Sequence, residues 1–555
     1  MRYQMGCCLL LLLAGQALAA PGDVARTVHS PAGRPHGLAY DGKRIWVADH
    51  YEDELYALDP KDGRKLATLD APGGHVLDLS WDPEGERLWI LDGATETQGA
   101  TIYCLDPAPN LTTHRVLSPV GAPKGIAHDG KHLWVLEVGR KGGGLHRIDP
   151  ADGTTIESLP APSRRANALA WDGKNLWVAD RYSDRLYMID PGSGDVLMIL
   201  PAPGPYSAGL DVVGEHLAVV DYQNDKIDFL VREDGVNSVR YDVREESVEF
   251  LMTVRNYGPG PLRTADLHIA VPHDLPSQEL IDKPSFEPEP VKIEKDRYGQ
   301  EVAHFQLKNL KPGEGREIRM RAKARLFAVD YFVRPDRVKR GNIPKKVRQR
   351  YLRDESKFDI KNPLIRKTVE EVVGKEKNPY WIARRLSRHI QDSMEYELAG
   401  GWNVAPKVLE RGTGSCSEYT FVFIALCRAA GVPARFAGSM VVRNDDASTD
   451  EVFHRWAEIY LPPYGWVPVD VQHGDKPTEA QRAEAWGRLV NRFLITTHGG
   501  GGSELMEWNY NGLVKYTCEG PCKVDVEYFA EWEPHGKREP YEVPERTPAP
   551  CGCEK

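Results

Sequence analysis

Residues 37–72 read GLAYDGKRIWVADHYEDELYALDPKDGRKLATLDAP, and residues 168–203 read ALAWDGKNLWVADRYSDRLYMIDPGSGDVLMILPAP. The two stretches are copies of one unit. A third copy, residues 125–162, reads GIAHDGKHLWVLEVGRKGGGLHRIDPADGTTIESLPAP. A looser copy starts near Leu77 and a degenerate one near Gly209. The aligned apolar positions Leu38, Leu79, Ile126, Leu169 and Leu210 lie 41, 47, 43 and 41 residues apart. Each copy holds a period-2 apolar run, a turn, a second strand ending in Asp-Pro, and a further strand. That is enough chain for one four-stranded sheet. A lone small sheet cannot bury both faces, so the copies must pack on each other. The period predicts a β-propeller over residues 30–235. Five blades are counted, with a split or worn sixth left open.

An acid recurs at one place in each copy: Asp49, Asp92, Glu137, Asp180 and Asp221. Metal or substrate binding is one reading. A strand-end hydrogen bond multiplied by duplication is the simpler one. The repeated Trp46, Trp89, Trp134 and Trp177 read as packing between blades.

Downstream of the repeats the pattern changes. Val248, Phe250 and Met252 alternate, as do Leu267, Ile269 and Val271, with turn signals at Asn256–Pro261 and Lys311–Glu314. Residues 236–330 therefore read as a small Ig-like β-sandwich spacer. Helical periodicity follows. Asn378 and Pro379 form an N-cap and first-turn pair, and Ile382, Leu386, Ile390 and Met394 make one apolar stripe. A further helix over 415–430 and strands over 452–461 and 465–471 complete an α+β domain over residues 331–480. Residues 481–535 read as a C-terminal β-rich extension, and 536–555 as a mobile tail carrying Cys551 and Cys553. The fold class is thus multidomain: an all-β propeller, a β-sandwich and an α+β domain.

The chain of 555 residues is too long for one core. Its net charge of -10 disfavours nucleic acid as a partner, since phosphate binding wants a basic face. Residues 1–19 read as a signal peptide, with Arg2, an apolar run from Cys8 to Ala14, and Ala17-Leu18-Ala19 for cleavage. No apolar run is long enough to span a bilayer. The expected location is secreted or periplasmic. Seven cysteines then remain: Cys104, Cys416, Cys427, Cys518, Cys522, Cys551 and Cys553. An odd count leaves at least one thiol unpaired if the rest bridge. Cys518, Cys522, Cys551 and Cys553 invite a zinc site, but in an exported chain disulfides pinning the tail are the better reading.

The chemistry is concentrated in Arg411-Gly-Thr-Gly-Ser-Cys416-Ser-Glu-Tyr-Thr-Phe-Val-Phe-Ile-Ala-Leu-Cys427-Arg-Ala-Ala-Gly431. A Gly-rich loop leads into a helix that is apolar nearly all round, so Cys416 sits at a buried helix N-terminus. Free backbone N–H groups there favour a thiolate and can support an oxyanion. Cys427, three turns on, reads as packing. A base is needed, and Phe453-His454-Arg-Trp456-Ala-Glu458 offers one. His454 and Asp470 lie eight residues either side of Pro462. A hairpin centred there sets them opposite or nearly so, about 4.5–5.5 Å apart at Cβ. The carboxylate can then orient the imidazole and leave its other nitrogen for the thiol.

Three motifs resemble those of the transglutaminase-like superfamily. They are Gly414-Ser-Cys416-Ser-Glu-Tyr-Thr with Ala425–Arg435, then His454-Arg-Trp-Ala-Glu-Ile-Tyr, then Gly465-Trp-Val-Pro-Val-Asp470. Order and spacing are the family's, though Val471 stands where proline is common. The match covers about residues 340–500, and the repeats resemble propellers of the NHL and YVTN type. The resemblance implies a papain-like Cys416–His454–Asp470 triad acting on amides through a thioester. Trp402 is the nearest upstream candidate for a further oxyanion or substrate contact, with packing as its simpler role. No cofactor or metal is expected, and Asp445–Asp450 reads as a solvated acidic loop.

Three functions compete on these grounds. The first is a cysteine peptidase or amidase acting on a protein or peptide, with the propeller recruiting a protein or cell-wall ligand. The second is a protein-glutamine transglutaminase that forms cross-links. The third is a non-catalytic scaffold in which the propeller alone works.

Overall fold

The first strand of each repeat carries a small residue or an aspartate just before its aligned apolar position: Gly37, Asp78, Gly125, Ala168 and Gly209. A computed structural model gives the reason. It describes residues 19–95, 98–139, 142–233, 235–398, 402–445, 448–534 and 547–548. The repeats form five four-stranded antiparallel sheets over residues 35–70, 76–117, 123–160, 166–201 and 207–231, numbered I to V. Their first strands touch in sequence, I to II through to V, and the first strand of V returns to that of I. The sheets therefore close a ring.

The centre of the ring is tight. A Cβ on Gly37 would lie 2.8 Å from Asp78 Cα, and one on Gly209 would lie 2.6 Å from the Gly37 carbonyl carbon. Asp78 is fully buried and serves as a hub. Its Oδ2 accepts from Ile126 N at 3.0 Å and Leu169 N at 3.3 Å, and its Oδ1 from Leu79 N at 3.0 Å. Asp211 Oδ2 accepts from Tyr40 N at 2.7 Å, joining sheet V to sheet I. Burial pushes the carboxyl of Asp211 up to about 7 and that of Asp78 well above the usual range.

Sheet V explains the degenerate last copy. Residues 207–231 supply only three strands, and the fourth is Val24–His29, paired antiparallel with Lys226–Val231. The ring is thus sealed by the start of the described chain, earlier than the predicted boundary at residue 30. Three of the recurrent acids are turn caps. Asp49 Oδ1 accepts from Tyr51 N and Glu52 N, and Asp180 and Asp221 likewise accept from the backbone two and three residues on. Asp92 instead accepts from His75 N at 2.8 Å, and Glu137 lies 3.5 Å from His146. The Asp-Gly turn before each tryptophan has its own role. Asp41, Asp129 and Asp172 accept the indole N–H of Trp46, Trp134 and Trp177 at 2.9–3.0 Å.

The two sheets after the ring begin with two long strands, β1 (Ser238–Pro259) and β2 (Leu262–Ala270), followed by β3 (Glu301–Leu310) and β4 (Gly315–Tyr331). The helices α1 (Pro363–Val373), α2 (Pro379–Ser393) and α3 (Cys416–Ala429) come next, then β5 (Ala434–Val441), β6 (Ser448–Asp450), β7 (His454–Leu461) and β8 (Gly465–Val469). Short helix α4 (Glu479–Ala483) leads to β9 (Phe493–Gly499), β10 (Gly512–Cys518) and β11 (Cys522–Trp532).

Residues 481–535 do not stand apart as an extension. β9 is the edge of the sheet ordered β8-β7-β5-β9, β10 pairs β2, and β11 pairs β1 along most of its length. The cause is burial. Phe250, Met252 and Val254 on β1 need a cover on both sides, and Ala530 and Trp532 help to provide it. Cys518 and Cys522 form a disulfide across the β10–β11 turn. The expected leader, apart from its last residue, and Cys551 and Cys553 lie outside the described residues.

The ring and the α+β unit share a core. The outer strands of sheets I and III, KLATLD and TIESLP, are mostly exposed on alternate residues. The outer strand of sheet IV, VLMILP, is buried from Val196 to Leu200. It packs beside α4, and its side chains share one cluster with α2 and Trp486. Asp195, in the preceding turn, receives Arg388 at 2.7 Å, and Arg384 donates to Val196 O at 3.0 Å. Among the described residues no helix is long and apolar enough to cross a membrane.

The hub at Asp78 is testable. Asp78→Ala leaves three buried N–H groups unpaired, each costing about 1–3 kcal/mol. The expected result is a clear drop in the urea midpoint of the ring. A wild-type midpoint contradicts the assignment.

Candidate active site

Helix α3 starts where a serine, then a cysteine, follow a glycine pair. Ser415 is extended at φ -79, ψ 172 and serves as N-cap. Glu418 in the first turn reaches back, its Oε2 accepting from Ser415 N at 3.2 Å and from Arg411 Nη2 at 3.0 Å. Its Oε1 accepts from Asn403 N at 3.0 Å. This carboxylate is fully buried and ties two loops to the helix start. Its role was not singled out from the sequence, although Ser415-x-x-Glu418 is the signature of a capping box.

Cys416 is therefore the first helical residue, and it is only 6% exposed. The imidazole of His454 and the backbone N–H of Arg455 both favour its ionised form. Burial works against a thiolate, but the imidazole outweighs it and leaves the thiol below the ordinary range. Cys427, on the same helix, has no such partner. It is fully buried among apolar side chains, which drives its thiol well up. It is a packing residue.

His454 opens β7. Its ring packs against the adjoining rings of Trp456 and Phe493, with centroids at 5.8 and 5.7 Å; those two are 5.0 Å from each other and meet the imidazole from one side. Its Nε2 lies 2.5 Å from Asp470 Oδ2. Nδ1 is then the nitrogen left for the sulfur. Burial disfavours the charged ring, but the Asp470 charge, its hydrogen bond and Cys416 push the imidazole up to about 10. Asp470 is held well placed as an anion. Burial would raise it, yet His454 and the backbone N–H of His473, at 3.0 Å from Oδ1, bring it below the usual carboxylate range.

The hairpin that brings His454 to Asp470 differs from the expected one. Ala457 faces Val469 and Leu461 faces Gly465, so it turns on Pro463 rather than Pro462. The ladder stops at Ala457 and Val469. Asp470 lies one residue past it and reaches His454 diagonally. The turn residue Tyr464 anchors the shift, its hydroxyl accepting from Arg334 N at 2.9 Å.

The residue before His454 is strained. Phe453 has φ 58, a conformation that bulky side chains rarely adopt. Two things hold it. Its N–H donates to Asp450 Oδ1 at 3.0 Å, and its ring packs with Phe250, Tyr510 and Tyr528. Asp450 also accepts from Val441 N at 2.7 Å and from Arg443 at 2.8 Å. The end of the acidic stretch is thus not a solvated loop: Ser448–Asp450 is β6, paired with β11, and Asp450 is buried, whereas Asp445 is exposed and residues 446–447 lie outside the described residues. Trp402 lies stacked on Tyr510 at 6.0 Å, with the Arg455 guanidinium 4.5 Å over its ring. Among the described residues no group of three or more His, Cys, Asp or Glu is placed to hold a metal ion.

Comparison with known proteins bears on the same segment. Residues 366–471 match the transglutaminase-like superfamily, a span that holds Cys416, His454 and Asp470. An uncharacterized protein of Haemophilus influenzae is 31% identical over a match covering 19% of this chain and 35% of its own length. The match therefore spans about a third of that relative. A solved chain described as a candidate cysteine protease from Cytophaga hutchinsonii aligns at TM-score 0.37 and 16% identity, covering 52% of this chain and 92% of its own. A glutaminyl cyclase from Myxococcus xanthus aligns at TM-score 0.32 and 14% identity, covering 39% and 97%. The two structural scores are too low to assign a fold. The sequence match is specific to one segment: residues 366–471 are a transglutaminase-like domain.

Proposed function

We propose that this chain is an exported thiol enzyme that cleaves amide bonds through an acyl thioester on Cys416. One observation carries the reading. A buried thiol at a helix N-terminus is held below the ordinary thiol range by an imidazole whose Nε2 sits 2.5 Å from a carboxylate.

The steps follow from that arrangement. The Cys416 thiolate attacks the amide carbon, and the carbonyl oxygen gains negative charge. Backbone N–H groups left unpaired in the first turn of α3 face that charge. The His454 imidazolium gives its proton to the leaving amine, the C–N bond breaks, and a thioester remains. Neutral His454 then takes a proton from water, hydroxide adds to the thioester, and the acid leaves as the thiolate returns. Asp470 keeps Nε2–H in place throughout. Water needs no acceptor site of its own, so hydrolysis is the simpler outcome. Transfer to an amine, as in a transglutaminase, differs only in the second nucleophile.

The rest of the reading is modular. The ring of five sheets, from Val24 to Val231, is read as a five-bladed NHL-like propeller that recruits a protein, peptide or cell-wall ligand. Residues 236–330, joined by β10 and β11, form an Ig-like sandwich, and the enzyme unit lies over 331–480 with β9 as the edge of its sheet. Export rests on the leader pattern in residues 1–19.

Two tests follow. Incubation with peptide mixtures in labelled water, followed by mass spectrometry, is expected to show an acyl adduct on Cys416 and label in the released acid. Cys416→Ala is expected to abolish both. Uptake of a labelled amine into glutamine side chains instead marks a transglutaminase. No adduct, with Cys416 no more easily alkylated than Cys427, overturns the thiol-enzyme reading in favour of a scaffold. The second test is Asp470→Asn. The imidazole pair contributes stability that is complete below about 6.5, the free value, and is lost as pH rises through about 10. In the variant the His454 titration, followed by NMR, is expected to move down toward 6.5, with activity falling roughly 10,000-fold, as tautomer loss does in a serine triad. A titration unchanged near 10 contradicts the role of Asp470.

A further inference from the structure

A cavity of about 230 Å³ lies between the sheet that carries His454 and the loops of the sheets before it. Its floor comes from β5, β7 and β8, where Arg435, Glu458 and Pro468 sit side by side. Their chain neighbours Phe436 and Ala457 share the core of α3, so alternation puts Arg435 and Glu458 on the opposite face of the sheet. The roof comes from His273 and Leu275–Ser277 after β2, Tyr298–Gln300 before β3 and Val329 near the end of β4. Floor and roof are pinned together. Gln278, fully buried, donates from Nε2 to His273 O at 2.8 Å and Ile495 O at 2.9 Å, and its Oε1 accepts from Ile495 N at 2.7 Å. Pockets between structural units, apolar with a few convergent polar groups, are where small ligands bind.

The lining is lopsided in charge. Three basic groups, Arg435, His273 and His498, meet one carboxylate, Glu458. That carboxylate is engaged twice: Oε2 accepts from Arg435 Nε at 2.7 Å, and Oε1 lies 3.3 Å from His498 Nε2. Burial would raise it, but Arg435 and His498 hold it down to about 2. His273 stands exposed at the mouth, its ring edge-on to that of His498 with centroids 6.4 Å apart. Desolvation by the wall, then the charges of His498 and Arg435, push its imidazole down to about 4, against Glu301 and Asp274, which lie outside the lining. The mouth is thus short of one negative charge. Much of the remaining surface is apolar, from Leu275, Pro276, Val329, Pro468, Leu489 and Ile495.

We propose that this cavity binds a carboxylate carried on a small apolar body, with the anion at His273 and the body along Leu489 and Ile495. His273 gives an N–H to the carboxylate, and the anion in turn favours the protonated ring. A phosphate dianion would set its second charge against Glu458. A saccharide would leave hydroxyls unpaired on the apolar wall. By the volume of liquid water the space suits about eight non-hydrogen atoms, which is a free acid of side-chain size or the last residue of a peptide. The site is apart from the catalytic groups. Glu458 lies four residues along β7 from His454, about 13 Å. Only one layer separates them, since Leu275, Leu489 and Ile495 cluster with Trp456, whose ring lies 5.8 Å from that of His454. Acids of this kind are what amide hydrolysis releases, but the site does not depend on Cys416 being the nucleophile.

The test is calorimetric titration of the full chain with 4-methylpentanoate, with its uncharged amide, and with Gly-Gly-Leu. The acid is expected to bind with a Kd of about 1 mM, the order a ligand of this size reaches. The amide is expected to bind at least about tenfold more weakly. His273→Ala, checked by near-UV circular dichroism, is expected to lose the same factor for the acid alone. In the wild type the His273 imidazole, followed by NMR, is expected to titrate higher with the acid present and to stay put with the amide. A tighter free acid identifies a metabolite-sized ligand, and a tighter Gly-Gly-Leu a peptide end. No saturable heat means that water alone fills the cavity and overturns the proposal. Equal binding of acid and amide, or unchanged binding in folded His273→Ala, also overturns it. If the variant does not fold, the acid–amide comparison and the His273 titration in the wild type still decide. Cys416→Ala is expected to bind as the wild type does. Loss of binding there places the acid at the thiol and overturns the cavity assignment, whereas an unreactive Cys416 in a chain that binds the acid is a failure of the enzyme reading alone.

Discussion

A buried thiolate and a buried imidazolium stabilise each other only if both are held in place, and much of this fold serves to hold them. Neither charge survives alone in an apolar setting, since desolvation would neutralise it. Cys416 is fixed by a helix that cannot shift, because α3 is buried along its length and Glu418 locks its first turn. His454 is fixed by the adjoining rings of Trp456 and Phe493 and by Asp470 at 2.5 Å. The pair is therefore a product of packing rather than of sequence proximity.

The sheets that follow the ring take part in this. Phe453 is held at positive φ by Asp450 and by rings from β1, β11 and the Tyr510 segment. Strand β6, which carries Asp450, is paired to β11. The strain that aims His454 is thus maintained by a strand over seventy residues later in the chain. The ring of sheets contributes from the other side. Asp195 and the buried edge of sheet IV grip α2, and Arg388 on α2 holds Glu479 of α4, close to the segment that carries Asp470.

Much of this was legible in the sequence where the signal is local. The repeat spacing from Leu38 to Leu210 foretold five four-stranded sheets, and the Gly-rich approach to Cys416 foretold the helix start. The pairing of His454 with Asp470 was readable from hairpin symmetry, although Pro463 rather than Pro462 is the pivot. What escaped was long-range. Nothing near Val24–His29 says that it completes a sheet begun almost two hundred residues later. β9, β10 and β11 read as one β-rich stretch because alternation marks a strand without naming its partner. Asp450 read as solvated because an acid next to other acids usually is. Its burial depends on Arg443 and on backbone N–H groups that only the fold supplies. The apolar edge VLMILP, against KLATLD and TIESLP, did carry a signal that sheet IV meets a neighbour.

The most direct test of the account is the ultraviolet absorbance of the thiolate near 240 nm, titrated from pH 4 to 10 in the wild type and in Cys416→Ser. The account predicts one step that belongs to Cys416 and falls below the ordinary thiol range of about 8.5. A Cys416 step at or above the ordinary range would mean that imidazole and sulfur do not share a charge, and the enzyme described here would not exist.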